Sequence, residues 1–398
     1  MKILVLDGNQ NQAVASVRCL AGAGHTVVVG EAAAWSKAGW SKFASESFRY
    51  PPPRTHPAEF IERLQAFSLA NPGALILPMT EATTLPLSAY RSALAGAGAR
   101  LILPDHTDLL RAFDKDETTR LAAELGFAVP ASQLLVDANQ AKRLSESLKY
   151  PVVLKPRSSE ELRAGGTGRT TGRPRYARSQ REFQQAYEDV SSRSTAVLVQ
   201  EYVEGEGAGY FALMHHGELR AEFAHRRIRD VHPTGSGSAV RMSVKPDPAI
   251  RAASLAMLRA LRWHGVAMVE FRVPTGKAPV FLEVNGRFWN SLPLACYAGV
   301  EFPVLLAEMA EKGDVRPLQG YTEGVRCRWL LGDFRHLIEV WRGAPAGFPG
   351  KFPGRLRTIG AVLRPVPGTV HDLFRWDDPL PEAGDWIELV GRAFTKRS

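Results

Sequence analysis

Val266-Ala267-Met268-Val269-Glu270-Phe271-Arg272 and Pro279-Val280-Phe281-Leu282-Glu283-Val284-Asn285-Gly286-Arg287 read as two apolar strands joined by a short turn. Each strand carries one carboxylate inside an apolar run, where an unpaired charge is costly, so Glu270 and Glu283 need a cation. Side chains alternate along a strand, so Glu283 and Asn285 project from one face, and Arg287 follows if the extension continues. A hairpin would set Glu270 beside them. Two carboxylates and an amide oxygen are hard ligands of the kind Mg²⁺ accepts, with phosphate oxygens and water completing the shell. The alternative is a set of Glu–Arg pairs holding a strand edge. Zinc is disfavoured because no Cys or His joins the set.

The surrounding chain has 398 residues, room for about two or three domains with ample core. Its 45% apolar and 23% charged content matches a globular protein, and no apolar run approaches the length that spans a bilayer. The apolar start, residues 3–6, is too short for a signal-peptide core. Cys19, Cys296 and Cys327 are scattered without metal spacing and read as thiols in a reducing compartment, which points to the cytoplasm. The net charge of +9 is concentrated: Lys155, Arg157, Arg163, Arg169, Arg173, Arg175, Arg178 and Arg181 face only Glu160 and Glu161. No aromatic stacking platform, helix-turn-helix spacing or zinc knuckle accompanies them. An acidic small molecule or a polyphosphate therefore explains the charge better than nucleic acid.

Toward the N-terminus, residues 2–6, 26–29, 74–77 and 100–103 read as strands, with a helix over residues 12–21 that ends at Gly22 and Gly24. This alternation predicts an α/β unit with a parallel sheet. The turn after its first strand lacks GxGxxG, which argues against a nicotinamide site. Glu81 and Thr83, after the strand at 74–77, are either substrate contacts or helix caps. In Asp114-Lys115-Asp116-Glu117 an N-cap is followed by an acid three residues on. Lys115 then opposes the helix dipole, so helix stability does not ask for it. Lys155 ends an apolar strand and precedes a stretch with Ser158, Ser159, Gly165, Gly166, Gly168 and Gly172, suited to a mobile phosphate cover or to an inert linker. His225-Arg226-Arg227-Ile228-Arg229 is an anion clamp or a solvated basic face. His215 and His216 sit in a turn with no third ligand at metal spacing and read as solvated.

Taken in order, Lys115, Lys155-Pro156, the glycine-rich loop, the strand over 197–203, Glu270 and Glu283-Val284-Asn285 resemble the ATP-grasp superfamily of carboxylate-amine ligases. The resemblance covers residues from about 1 to 312. Glu283-Val284-Asn285-Gly286-Arg287-Phe288-Trp289-Asn290-Ser291 is similar to the Glu-x-Asn-Pro-Arg-Phe-Trp-Gly-Ser motif of an amino-acid-ligase-like branch. Gln200-Glu201-Tyr202-Val203, His225-Arg226-Arg227 and residues 263–271 resemble the same branch.

The resemblance implies an ATP-grasp fold behind a Rossmann-like domain, divided at 1–105, 106–202 with the lid, 203–312 with the metal and phosphate site, and an extension over 313–398. It implies that Lys115 and Lys155 reach the nucleotide phosphates, with Ser158, Ser159, Gly165 and Gly166 in the lid. Glu201, Tyr202 and Val203 would form the adenine hinge, and Glu270, Glu283 and Asn285 would hold Mg²⁺. Arg287 would face the transferred phosphate, and because Met268 stands where some ligases have an arginine, that job would pass to Arg227, Arg229 or Arg287. The ribose acid falls at Gly207, so Glu206 would take that duty. Gly286 and Asn290 replace the usual Pro and Gly and would loosen or reshape the loop after the metal site. The extension is expected to be a packed appendage whose aromatic residues are core.

The implied activity is ATP-dependent joining of a carboxylate to an amine through an acyl phosphate. Its partners would be small molecules without a membrane, and a homodimer stays open. A phosphotransferase on the same site, or an idle nucleotide sensor or polyanion-binding module, is the alternative.

Overall fold

The computed structural model describes residues 1–162 and 168–395. The alternating N-terminal pattern forms a parallel sheet of β1 (Lys2–Val5), β2 (Thr26–Glu31), β3 (Glu46–Arg49) and β4 (Leu75–Leu77), in the order β3-β2-β1-β4. Helix Asn11–Gly22 buries Val14, Val17 and Leu20, which share one core with Leu292, Leu294, Phe302 and Leu306 from far along the chain. Strand β3 was not expected: Glu-Ser-Phe-Arg is mostly exposed and carries no apolar alternation. The strand expected at 100–103 is reduced to one bridge, Leu75 to Arg100.

A second sheet begins with β5 (Ser132–Leu135) and β6 (Val152–Pro156). After the small hairpin β7 (Glu160–Leu162) and β8 (Gly168–Thr170) it gains β9 (Arg175–Ala177) and β10 (Val197–Glu201), in the order β5-β10-β6-β9. Helices Ala138–Ser147 and Gln180–Ser191 set Ala141, Phe183, Ala186 and Val190 against Leu154, Val197 and Val199.

The third sheet has seven strands. In chain order they are β11 (Glu206–His215), β12 (Glu218–Arg229), β13 (Val240–Ser243), β14 (Gly265–Val273), β15 (Val280–Asn285), β16 (Arg326–Arg328) and β17 (Val370–His371). In space they run β15-β14-β11-β12-β13-β16-β17. Helix Pro248–Ala260 covers one face, where Leu255 and Leu258 meet Tyr210, Ala212, Phe271 and Phe281. The last two strands lie beyond residue 312, so the stretch expected as an appendage continues this sheet. That stretch is also pinned to the N-terminal unit by buried ion pairs, Arg18 to Asp378 at 2.9 Å and Lys37 to Asp385 at 2.6 Å. Trp329 Nε1 donates to the same Asp385 at 2.7 Å. Among the described residues no helix is long and apolar enough to cross a membrane.

Candidate active site

Strands β14 and β15 pair antiparallel, with Glu270 directly opposite Glu283 and Met268 opposite Asn285. The two carboxylates therefore share one face of the hairpin, and that face lines a cleft of about 650 Å³ between the second and third sheets. From the second sheet Lys155 enters on β6, 9% exposed. Burial outweighs the attraction of Glu283 and lowers the Lys155 ammonium to about 8.

Lys115 arrives from the first turn of helix Lys115–Glu124. The helix is capped as expected, because the Asp114 carboxylate accepts from the backbone N–H of Asp116 at 3.0 Å and of Glu117 at 3.2 Å. Lys115 Nζ donates to Ser159 Oγ at 3.1 Å and stands 3.7 Å from Glu283 Oε2. Although burial opposes ionisation of Glu283, Lys115 and Lys155 together hold its carboxyl below the usual range.

Asn285 Nδ2 donates to Glu283 Oε1 at 3.2 Å, and Arg287 Nη2 donates to Asn285 Oδ1 at 3.2 Å. On β12, Arg227 Nη2 donates to Glu270 Oε1 at 2.8 Å. One carboxylate thus has an arginine partner, and both carboxylates face the open cleft.

Of the expected residues, Lys115, Lys155, Ser159, Glu201, Tyr202, Val203, Arg227, Glu270, Glu283, Asn285 and Arg287 line this cleft. Arg229 does not. Its guanidinium bonds Asp333 Oδ1 at 2.5 Å and the Ala361 carbonyl at 2.7 Å, because a register shift in the β12–β13 pairing follows Arg227. Ser158 also lies outside the lining and donates instead to the Glu160 carbonyl at 2.7 Å. Glu206 is exposed at the start of β11 and does not reach the cleft. Thr83 donates to Asp7 Oδ2 at 2.6 Å, and Glu81 sits 3.6 Å from Arg287 behind the lining. Gly165 and Gly166 lie outside the described residues.

A Cβ on Gly286 would come 2.4 Å from Cη2 of the buried Trp263, so the indole occupies the space that a side chain there would need.

The cleft also holds residues that the strand pattern did not single out. Arg272, one alternation beyond Glu270, lines it while donating to the Gly235 carbonyl at 2.6 Å. His225 lines it with Nε2 and Ser291 Oγ 2.8 Å apart, and burial beside Arg227 and Arg241 pushes that imidazole well below its ordinary pKa, so it is neutral at pH 7. The stretch after residue 312 closes one end through Glu339, Arg342, Gly343, Pro345, Ala346 and Phe352. Phe348 from the same loop packs edge-on to Tyr176 at 5.0 Å and Tyr202 at 6.1 Å. Alternation contained the signal for Arg272. Nothing local in the sequence contained one for the C-terminal loop.

Residues 193–332 match a family described as ATP-grasp in the biosynthetic pathway with Ter operon. That span contains β10, Arg227, Glu270, Glu283 and Asn285. Two solved structures share the ATP-grasp architecture. The biotin carboxylase domain of 2-oxoglutarate carboxylase from Hydrogenobacter thermophilus is 17% identical with a TM-score of 0.63, over 81% of this chain and 72% of that one. L-amino acid ligase from Bacillus licheniformis is 16% identical with a TM-score of 0.60, over 79% of this chain and 77% of that one. Among curated proteins, the N-terminal section of the carbamoyl phosphate synthase large chain from Methanopyrus kandleri is 28% identical over 295 residues. The match takes in 71% of this chain, which spans 50% of that relative.

Proposed function

We propose that the protein is an ATP-dependent ligase that joins a carboxylate to an amine and releases ADP and phosphate. The observation that carries this reading is the opposition of Glu270 and Glu283 across one hairpin, with Lys115 and Lys155 converging on the same cleft. Glu270, Glu283 and Asn285 form an all-oxygen set, and the depressed carboxyl of Glu283 keeps it in the ligating form, so the donors suit Mg²⁺. When bound, Mg²⁺ supplies charge neutralisation at phosphate oxygens.

The rest follows from the chain's own residues. Lys115 and Lys155 hold the triphosphate, and residues 201–203 border the base. The substrate carboxylate oxygen attacks the γ-phosphorus, ADP leaves, and the acyl phosphate then has phosphate as its leaving group for attack by the amine. Such transfer relies on positioning and charge compensation rather than on a covalent side chain. Arg227 and Arg287 are the cations placed to meet the substrate carboxylate and the transferred phosphate. The arginines of the cleft favour an acidic substrate, and the L-amino acid ligase among the structural neighbours favours an amino acid or a related metabolite.

The test is ADP release over a panel of acids and amines. The expected result is amine-dependent ADP and phosphate, with Glu283→Gln or Lys155→Ala lowering the rate about 100-fold or more while circular dichroism stays unchanged. Release of AMP and pyrophosphate, or a variant at the wild-type rate, would contradict it. An idle nucleotide-binding protein is the second reading, favoured by the Arg227–Glu270 pair. Tight ATP binding with no turnover on any substrate pair would select it.

A further inference from the structure

At the far end of β11 the chain reverses through His216 and Gly217, with φ of 46° and 87°. Positive φ at both positions is the two-residue hairpin turn that matches strand twist. The turn is fixed to the segment before β14, since the Gly217 N–H donates to the Trp263 carbonyl at 2.8 Å. That bond brings His264, remote in sequence, against His215 and His216, so the expectation that these two lack a third partner fails. The His216 and His264 rings stack at 4.2 Å and 8°, and His215 lies 5.5 Å from His264 between centroids. One ligand atom from each of the three lies within 4.8 Å of the others.

We infer that His215, His216 and His264 form a second metal site, for a divalent transition ion such as Zn²⁺. Three imidazoles are a ligand set for such an ion, with a fourth position left to water. Zn–N bonds of about 2.0–2.1 Å in tetrahedral geometry set nitrogens about 3.3 Å apart, so closure brings the nitrogens together by about 1.5 Å or less and also turns the His216 ring out of its stack on His264, so that the two lone pairs converge. His216 is exposed and free to rotate into place.

Two further observations point the same way. His215 Nδ1 is 3.4 Å from Asp314 Oδ1 and 3.5 Å from Arg220 Nη2, so the Arg220–Asp314 ion pair anchors that ring at the edge of the cluster. Among the described residues, the buried His264 Nδ1 has no hydrogen-bond partner, so packing gives that nitrogen no other duty. Glu270 pairs with Gly209, six residues back along β11, so the site lies about 20 Å from the cleft at roughly 3.3 Å per residue. An ion there would staple the β11–β12 turn to the start of the strand that carries Glu270.

The test uses the full chain, stripped with chelator, in equilibrium dialysis against Zn²⁺ and in Co²⁺ titration read by visible absorption. The Glu283→Gln background removes the cleft ligand from the count. The expected result is one equivalent retained in Glu283→Gln, with a tetrahedral Co²⁺ spectrum. His216→Asn, which keeps a residue tolerant of positive φ in an exposed turn, should weaken binding about tenfold or more, and His264→Gln should do the same. No equivalent bound by the Glu283→Gln protein, or an affinity untouched by His216→Asn, would overturn the site.

Discussion

Gly286 shows how one missing methyl group sets the geometry of the acidic hairpin. It follows Asn285 directly, and the buried face of Trp263 fills the volume where a side chain would stand. Gly286→Ala should therefore destabilise the protein by about 1–3 kcal/mol in chemical denaturation, because neither the indole nor the strand has room to yield. An unchanged midpoint would show that the contact relaxes freely. Gly207 tells a related story. A Cβ there would lie 2.7 Å from Arg227 Nη1, so the glycine leaves space for the guanidinium to reach across β11 to Glu270. That both positions are glycine was visible in the sequence, but the reason was not, since each is set by a side chain that only the folded sheet brings close. Lys115 was legible for the opposite reason: its cap is local, and a cation in a first turn is out of place for the helix itself.

The hairpin of β14 and β15 could be read in advance because its information lies in alternation, and a carboxylate inside an apolar run is conspicuous. Strand β3 escaped because its exposed residues have no period. The loop over residues 343–352 escaped because its place depends on contacts with Tyr176 and Tyr202, far away in the chain. There the packing is tight: a Cβ on Gly350 would come 2.4 Å from Tyr202 Oη, and one on Gly347 would come 2.3 Å from the Tyr176 carbonyl. Tyr202 borders the cleft where the proposed site takes the base. Gly350→Ala should consequently raise KM for ATP several-fold with little loss of kcat, measured by ADP release. Equal KM values in the two proteins would mean that the loop does not shape the nucleotide end.

Buried charge ties the C-terminal stretch to the N-terminal unit, and this arrangement has a pH signature. Glu382 is 7% exposed, and burial, reinforced by Asp385 and Asp372 and opposed by the Trp386 hydrogen bond and Lys37, raises its carboxyl to about 7. A carboxyl with a raised folded pKa binds more protons in the native than in the unfolded state. Its contribution to stability therefore falls as the pH climbs from about 4.5 to about 7. Glu382→Gln, which retains an acceptor for Trp386 Nε1, should be more stable than wild type at pH 8 by about 1–3 kcal/mol. The gap should shrink at pH 5, and a gap that is equal at both pH values would remove Glu382 as its source. None of these long-range pairs was legible in the sequence, where Arg18 and Asp378 are simply two charges at opposite ends.

The central claim is that the opposed acids of one hairpin gather a divalent ion against a nucleotide. Mn²⁺, which shares the oxygen-ligand preference of Mg²⁺, reports this directly by electron paramagnetic resonance. With ATP present, the wild-type protein should bind Mn²⁺ at the cleft, and Glu283→Gln should bind it about tenfold or more weakly. Equal Mn²⁺ affinity in the two proteins, or binding indifferent to ATP, would contradict the account.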